Sequence, residues 1–270
     1  MPPFRALSRC LVAAAILLPA SNARAQLSLA PTSPSGQSVT PVYEGWYRNK
    51  DGTFSLSFGY FNRNAAERVE IAIGDSNFFA PGARNQGQPT SFTARRHWGV
   101  FAVVVPADFG NKTVTWTLKH RGQTYAIPGS LKADWEIDAI EGEASADNTP
   151  PGLRFAATGP EGRGPGGITG GPLRATVGAP LTLNVEAIDD GKTKSPVTLT
   201  WFKHQGPGDV SFGTATQRLT ATGGSARTTA TFTTAGEYVI RVRANDLSPV
   251  TAGHAQCCWT NGFIKVVVAP

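Results

Sequence analysis

Residues 54–60 have the sequence FSLSFGY, in which large apolar side chains alternate with serine or glycine. Successive side chains of a β-strand point to opposite faces of its sheet, so this period of two predicts a half-buried strand. The turn-forming pair Asp51-Gly52 lies just before it and predicts a hairpin with residues 43–47. No window of ten residues has the 3.6-residue period of an amphipathic helix. The sequence therefore predicts an all-β fold.

Similar β-type segments continue along the chain and fall into two groups. The first group lies before a stretch rich in glycine and proline, at residues 69–73, 101–105, 114–118 and 124–127. The second group lies after it, at residues 181–187, 197–201, 226–232, 235–242 and 264–268. Short strands at this spacing are typical of β-sandwiches and small barrels. We therefore predict two β-sandwich-like domains.

The stretch between the two groups is dominated by chain-breaking residues. Residues 149–172 contain 13 glycines or prolines among 24 residues. This density disfavours a packed element and predicts a linker, within which residues 153–155 could pair as a short edge strand. The predicted organisation is an N-terminal β-domain over 42–145, a Gly/Pro-rich linker over 146–172 and a C-terminal β-sandwich over 173–270.

The first 25 residues have the features of a secretory signal peptide. A basic start precedes the apolar run 11–18, and Ala23-Arg24-Ala25 has the small-x-small pattern of a cleavage site. The apolar run is much shorter than the roughly 20 residues of a membrane-spanning helix. Residues 26–41, rich in Ser, Pro and Thr, are predicted to be a flexible leader. The protein is therefore predicted to be exported, to the periplasm or the extracellular space, without spanning the membrane.

Cleavage of the signal peptide changes the charge of the chain. The full chain carries 25 basic and 19 acidic residues, a net charge of +6. The signal peptide contains three arginines, Arg5, Arg9 and Arg24, and no acid, so the mature chain carries a net charge of +3. The remaining basic residues are scattered rather than gathered in a stripe, which argues against nucleic-acid binding.

The C-terminal third of the chain contains three motifs, at residues 187–191 (AIDDG), 199–201 (LTW) and 236–246 (GEYVIRVRAND). With these motifs it resembles the PKD-type immunoglobulin-like domains of bacterial secreted proteins. The resemblance implies an immunoglobulin-like sandwich with Trp201 in its core, and Tyr238 resembles a tyrosine corner. The N-terminal domain resembles modules of uncharacterised exported bacterial proteins, a resemblance that implies no activity.

The adjacent pair Cys257-Cys258 is the least common feature of the mature chain, since Cys10 is removed with the signal peptide. Exported proteins meet an oxidising compartment, in which free thiols are uncommon. The first hypothesis is a disulfide between these two neighbours, which would stiffen the connection before the last strand. The alternatives are disulfides to another chain, two reduced cysteines, and a copper or zinc site formed by His254, Cys257 and Cys258.

Two further groups of residues are candidate ligand sites. Four acids at predicted strand ends offer the oxygen ligands that calcium prefers, although the same positions suit ordinary turns; they are Glu186, Asp189, Asp190 and Asp246. The six tryptophans raise the hypothesis of glycan binding, because sugar sites use aromatic faces. Trp46 and Trp259 lie in turn-rich segments and are the predicted binding-surface residues, with packing as the alternative role.

The motifs of several enzyme classes are absent from the sequence, namely HExxH, GxSxG, a Walker loop and a GxGxxG that opens a helix. The leading hypothesis is therefore an exported, non-catalytic binding or scaffold protein that contacts another envelope or secreted protein and needs no cofactor. Residues 249–262 are the predicted contact loop, because this connection is long and carries the cysteine pair. The competing hypotheses are a metal-dependent enzyme or metal-binding protein that uses the His254 loop, a glycan-binding module, and a passive spacer.

Overall fold

The computed structural model describes residues 33–140, 148–246 and 257–270. This part of the chain contains 17 β-strands and one short 3-10 helix, Ala133–Trp135. The prediction of an all-β fold is confirmed. The predicted signal peptide lies outside the described residues. Within the described ranges, no helix has both the length and the apolar character needed to cross a bilayer.

Eight strands form the N-terminal half. They are β1 (Val39–Arg48), β2 (Phe54–Asn62), β3 (Val69–Glu70), β4 (Asn77–Ala80), β5 (Ser91–Phe92), β6 (Arg95–Val105), β7 (Val114–His120) and β8 (Gln123–Gly129). They pair in the orders β1-β2-β6, β3-β5 and β4-β7-β8, always antiparallel. β1 and β2 form the predicted hairpin. β1 begins at Val39, inside the predicted leader, and Val39 is buried in the core.

The core of the N-terminal half is aromatic. The Phe58 ring lies near its centre, stacked on Phe101 and edge-on to Trp116. Trp116 is fully buried, and its Nε1 donates a hydrogen bond of 3.0 Å to Asn77 Oδ1. Asn77 in turn donates to the carbonyl oxygens of Ile71 and Pro89. A large ring can therefore be buried here without leaving its polar atom unpaired.

The C-terminal half is a sandwich of two sheets. Its strands are β9 (Gly152–Arg154), β10 (Ile168–Thr176), β11 (Leu181–Ile188), β12 (Thr198–Gln205), β13 (Val210–Phe212), β14 (Thr216–Arg218), β15 (Gly223–Phe232), β16 (Gly236–Asn245) and β17 (Trp259–Ala269). The strand orders are β10-β17-β16-β12-β14 and β13-β15-β11-β9. Only β10 and β17 pair in parallel among these strands. Two facing sheets with this strand order make an immunoglobulin-like sandwich.

Two details of this sandwich agree with the sequence. Trp201 packs in the core between the two sheets, as predicted. The Tyr238 hydroxyl donates to the Thr234 carbonyl oxygen at 2.8 Å and accepts from the Gly208 amide at 3.0 Å. A tyrosine at the start of a strand that bonds backbone a few residues upstream has the geometry of a tyrosine corner.

The segment 146–172, predicted as a linker, contributes strands and core residues to the C-terminal half. β9 lies within it and pairs with β11, and β10 begins within it. Leu153 is fully buried in the C-terminal core. A side chain at Gly167 would overlap the carbonyl oxygen of Asn261. Here the glycines permit close backbone contact rather than flexibility. The domain boundaries themselves stay a prediction.

Candidate functional site

The two halves are joined by a seam of hydrogen bonds between β6 and its neighbours on one side and β12, β16 and β17 on the other. The Thr90 amide donates to the His204 carbonyl oxygen at 2.8 Å. Gly99 accepts from Trp259 Nε1 at 3.1 Å and from Asn261 Nδ2 at 2.7 Å. The described residues accordingly belong to one compact unit.

Two of the four histidines lie in the seam and are structural in character. His204 is buried, and its Nε2 lies 2.7 Å from the Gly87 carbonyl oxygen. His97 Nε2 lies 2.9 Å from Thr93 Oγ1. Burial, and then the charge of Arg241, lowers the pKa of each histidine to about 3. Both rings are therefore neutral at neutral pH and serve to bond neighbouring backbone and hydroxyl groups.

A polar cleft of about 710 Å³ lies on the other face of the β1-β2-β6 sheet, away from the aromatic core. Tyr47, Ser55 and Val104 line its floor, since they alternate with the core residues of the same strands. Its walls come from the β1–β2 turn and from residues 136–140 and 161–167. The volume lies within the range of ligand-binding sites.

The cleft carries charges of both signs. Its cationic side chains are Arg48, Lys50 and Arg163, and its anionic side chains are Asp51, Glu136, Asp138 and Glu161. The one strongly exposed apolar side chain at its floor is Val104, which is 61% exposed. The cleft can therefore offer hydrogen bonds, ion pairs and a small apolar contact to the same ligand.

Hydrogen bonds hold the walls of the cleft in place. The Gly166 amide donates to the Tyr47 hydroxyl at 3.0 Å, which ties one wall to the floor. Burial raises the pKa of Tyr47, so it stays a neutral phenol. The Ile137 amide donates to the Trp46 carbonyl oxygen at 2.9 Å, so the second wall extends the edge of β1. The cleft is therefore a built feature of the fold.

In the β1–β2 turn, Asp51 accepts hydrogen bonds from the Thr53 amide and hydroxyl, and these lower the pKa of Asp51. In the opposite wall, Arg163 bonds Glu161 and the Pro150 carbonyl oxygen, at 2.8 and 2.6 Å. Such local partners restrain the side chains in the free protein, which reduces the entropy lost on binding.

The cysteine pair lies at the start of β17, and the two sulfur atoms are joined as a disulfide. Both cysteines are buried, 3.8 and 3.6 Å from the carbonyl oxygen of Asn148. His254 lies outside the described residues, as does most of the predicted contact loop. The described end of that loop, 257–262, is buried rather than exposed. A copper or zinc site would need the two cysteines as free thiolates, which a disulfide does not supply. The metal hypothesis therefore stays a prediction for the protein with this disulfide reduced.

Three of the four acids of the calcium hypothesis lie near one another, since the charges of Asp246 and Asp190 both act on Asp189. Glu186 lines a separate groove on the outer face of β11, and Asp190 faces Lys192 at 3.8 Å. Asp189 and Asp246 are buried, and burial, followed by the charge of Asp246, raises the pKa of Asp189. Asp189 Oδ1 also accepts from the Gly191 amide at 2.8 Å, as in an ordinary Asx turn.

No group of three or more His, Cys, Asp or Glu residues is arranged to hold a metal ion in the part of the chain that the structure describes. Calcium binding by Glu186, Asp189, Asp190 and Asp246 stays a prediction, and the turn interpretation has direct hydrogen-bond support at Asp189.

The prediction that Trp46 and Trp259 belong to a binding surface is wrong, because both side chains are buried. Trp46 packs edge-on against Phe54 and donates from Nε1 to the Lys132 carbonyl oxygen at 2.8 Å. Trp259 is part of the seam. The exposed tryptophans are Trp98 and Trp135. Turn-rich surroundings suggested exposure, but a neighbouring segment covers each ring, which no local pattern reveals.

No sequence pattern predicts the cleft, because its lining comes from four parts of the chain that are far apart, namely residues 47–55, Val104, 136–140 and 161–167. Residues 161–167, interpreted as linker, supply one whole wall. The signal that could have located them is the concentration of glycines, which here marks close approach to other backbone.

Neither a protein-family model nor a curated protein matches this chain. Among solved structures, the D00-D0 domain of intimin has 12% sequence identity and a TM-score of 0.28, over 86% of this chain and 100% of that one. The E. coli chaperone DraB has 16% identity and a TM-score of 0.26, over 37% of this chain and 51% of that one. Domains 4 and 5 of the S-layer protein SbsC have 14% identity and a TM-score of 0.25, over 62% and 71%. Similarities at this level carry no argument about this chain.

Proposed function

We propose that the protein is an exported, non-catalytic binding protein whose cleft takes an extended segment of a partner protein in the cell envelope. The observation that carries the proposal is the 710 Å³ cleft above the β1-β2-β6 sheet, whose lining includes side chains of both charges. Export follows from the signal-peptide features of residues 1–25. The PKD-type assignment of the C-terminal sandwich stays a prediction from its motifs.

The chemistry of the cleft favours a polypeptide over an apolar small molecule. A peptide backbone presents donors and acceptors along its length, and its side chains carry both charges. The exposed Val104 would contact one apolar side chain, while Lys50 and Asp51 lie on the rim and would contact charged ones. Contacts of this kind give specificity and a fast association rate more than great affinity.

The test is photo-cross-linking in the native envelope. A photoreactive amino acid is placed at Val104, in the cleft, or at Val267, a control on the outer face of β17 that is 37% exposed. We expect one reproducible cross-linked partner from position 104 and none at comparable yield from position 267. Equal yields from both positions, or no adduct at 104, would contradict the proposal.

A charge-reversal variant sharpens this test. Arg48→Glu combined with Lys50→Glu should abolish the adduct at position 104, because both cations line the cleft. The melting temperature should fall only slightly, since the variant loses the cation–π contact of the exposed Arg48 with the Phe54 ring. Retention of the adduct in the doubly reversed variant would show that the charges of the cleft do not recognise the partner.

A further inference from the structure

Two arginines lie side by side on β16 at the seam. Arg241 and Arg243 are two residues apart on the strand, so their side chains leave the same face of the sheet. Their guanidinium carbons lie 4.4 and 6.0 Å from the centre of the Phe202 ring. Arg241 is only 2% exposed, whereas Arg243 is partly exposed.

Neither arginine has an anionic partner among the described residues. Arg241 Nη1 reaches two neutral acceptors, the Val100 carbonyl oxygen at 3.4 Å and Asn261 Oδ1 at 3.2 Å. The Nε atoms of both arginines are buried and have no hydrogen-bond partner in this part of the chain. Two positive charges are therefore desolvated together without compensation.

The neighbouring His97 and Arg96 do not compensate the charge of the two arginines. His97, which is neutral, packs edge-on against Phe202, and the charges of both arginines act on its ring. Arg96 lies on the same side but is already neutralised, because it binds both carboxylate oxygens of Glu44 at 2.8 Å. Burial lowers the pKa of Arg241 to about 9, which still leaves it charged at neutral pH.

Burying unpaired charge is costly, and proteins normally offset it with an opposite charge. A guanidinium group presents its N–H donors in a planar fork that fits a tetrahedral or planar oxyanion. Two such groups on one strand face, with unused buried Nε donors and with Arg243 partly exposed, have the chemistry of an anion site.

We propose that Arg241 and Arg243 form a binding site for a compact oxyanion of the sulfate or phosphate type, entered from the side of Arg243. This site is separate from the cleft and does not depend on the proposed function. When occupied, it would stabilise the seam, because the anion would neutralise charge that the fold leaves unpaired.

The experiment is titration of the purified mature protein with sodium sulfate, and separately with sodium phosphate, at low millimolar concentration. Sodium chloride keeps the ionic strength constant, and both binding heat and melting temperature are recorded. We expect a saturable rise in melting temperature with either anion. Phosphate added to the sulfate-saturated protein should give no further rise if the two anions share the site.

Two variants make the test specific. Arg243→Gln should bind sulfate about tenfold more weakly or worse, because it removes one charged fork. Arg218→Gln, which removes an exposed arginine on β14, should bind as the wild type does. Sulfate also stabilises proteins generally by exclusion from their surfaces. A rise that does not saturate, or that is equal in all three proteins, would overturn the proposal.

The wild-type titration tests the proposed oxyanion site even if the Arg243→Gln variant fails to fold. In that case Arg243→Lys takes the place of Arg243→Gln, since lysine keeps the positive charge but lacks the planar set of guanidinium donors. Weaker sulfate binding by the lysine variant supports the site, and unchanged binding overturns it. Absence of saturable binding heat in the wild type also overturns it.

Discussion

The seam and the cleft are both rich in polar side chains, but they place them in opposite environments. In the seam, His204, Arg241 and Asn261 are almost completely buried. In the cleft, Lys50 and Asp51 are exposed to solvent. A buried polar group that loses its partner keeps the full cost of desolvation, whereas an exposed one is solvated by water. The seam should therefore govern stability, and the cleft should govern recognition.

The largest effect is expected at Gly99. Its φ is +45°, and an added Cβ would overlap the Trp259 ring. Gly99→Ala should lower the free energy of unfolding by about 3 kcal/mol, from backbone strain and overpacking together. Urea denaturation measures this loss.

The matched control for that variant is Gly122→Ala, in the β7–β8 turn. Gly122 also has a positive φ, +74°, but no atom lies within 4 Å of an added Cβ. This variant should therefore lose only about 1 kcal/mol, from backbone strain alone. Equal losses in the two variants would show that the seam is not closely packed at Gly99.

The next effect is a loss of stability in acid. His97 and His204 have a pKa of about 3 in the folded protein, below their ordinary value of 6.5. The unfolded chain therefore binds more protons between these values, so stability falls as the pH falls below about 6.5. We expect roughly 2 kcal/mol of lost stability for each histidine between pH 7 and pH 5.

The variant His204→Gln removes the contribution of His204 to the acid-induced loss of stability and leaves that of His97. Glutamine does not titrate, and it can still donate a hydrogen bond towards the Gly87 carbonyl oxygen. Urea denaturation at pH 7 and pH 5 should show that the variant loses about 2 kcal/mol less than the wild type on acidification. An identical pH dependence in both proteins would contradict a neutral, buried His204.

The smallest effects come from a matched pair of lysines. Lys203 is buried at the seam and lies 3.0 Å from Glu70, whereas Lys50 is exposed on the cleft. Lys203→Ala should cost about 1 kcal/mol, because it removes a partly desolvated ion pair. Lys50→Ala should change stability by less than about 0.5 kcal/mol. Thermal denaturation of both variants measures this difference. A larger loss of stability for Lys50→Ala than for Lys203→Ala would contradict the conclusion that the seam, and not the cleft, governs stability.

Much of the fold was predictable, but little of the candidate site was. The alternation in residues 54–60 and 181–187 predicts β2 and β11, and each has one face in a core. The prediction that β2 is only half-buried is wrong, because Ser55 and Ser57 on its other face are buried as well. The motif around Tyr238 predicted the corner that the hydrogen bonds show. The cleft could not be predicted, because no local pattern links Tyr47 to Gly166.

Two errors have the same physical origin. The composition of segment 149–172 predicts a linker, yet Leu153 within it is a core residue. The turns around Trp46 and Trp259 predict surface positions, yet other segments cover both side chains. Composition and turn signals report conformational preference, whereas burial depends on which distant segment packs alongside.

The sequence by itself determined the all-β class, most strand positions and the immunoglobulin-like character of the C-terminal half. These are local properties, because strand periodicity and turn chemistry act over a few residues. Only the tertiary structure decided that Gly99 meets Trp259, that Tyr47 meets Gly166, and that the arginines of β16 lie in the seam. Those contacts join residues more than 100 positions apart, and their energies depend on the burial that the assembled sheets create.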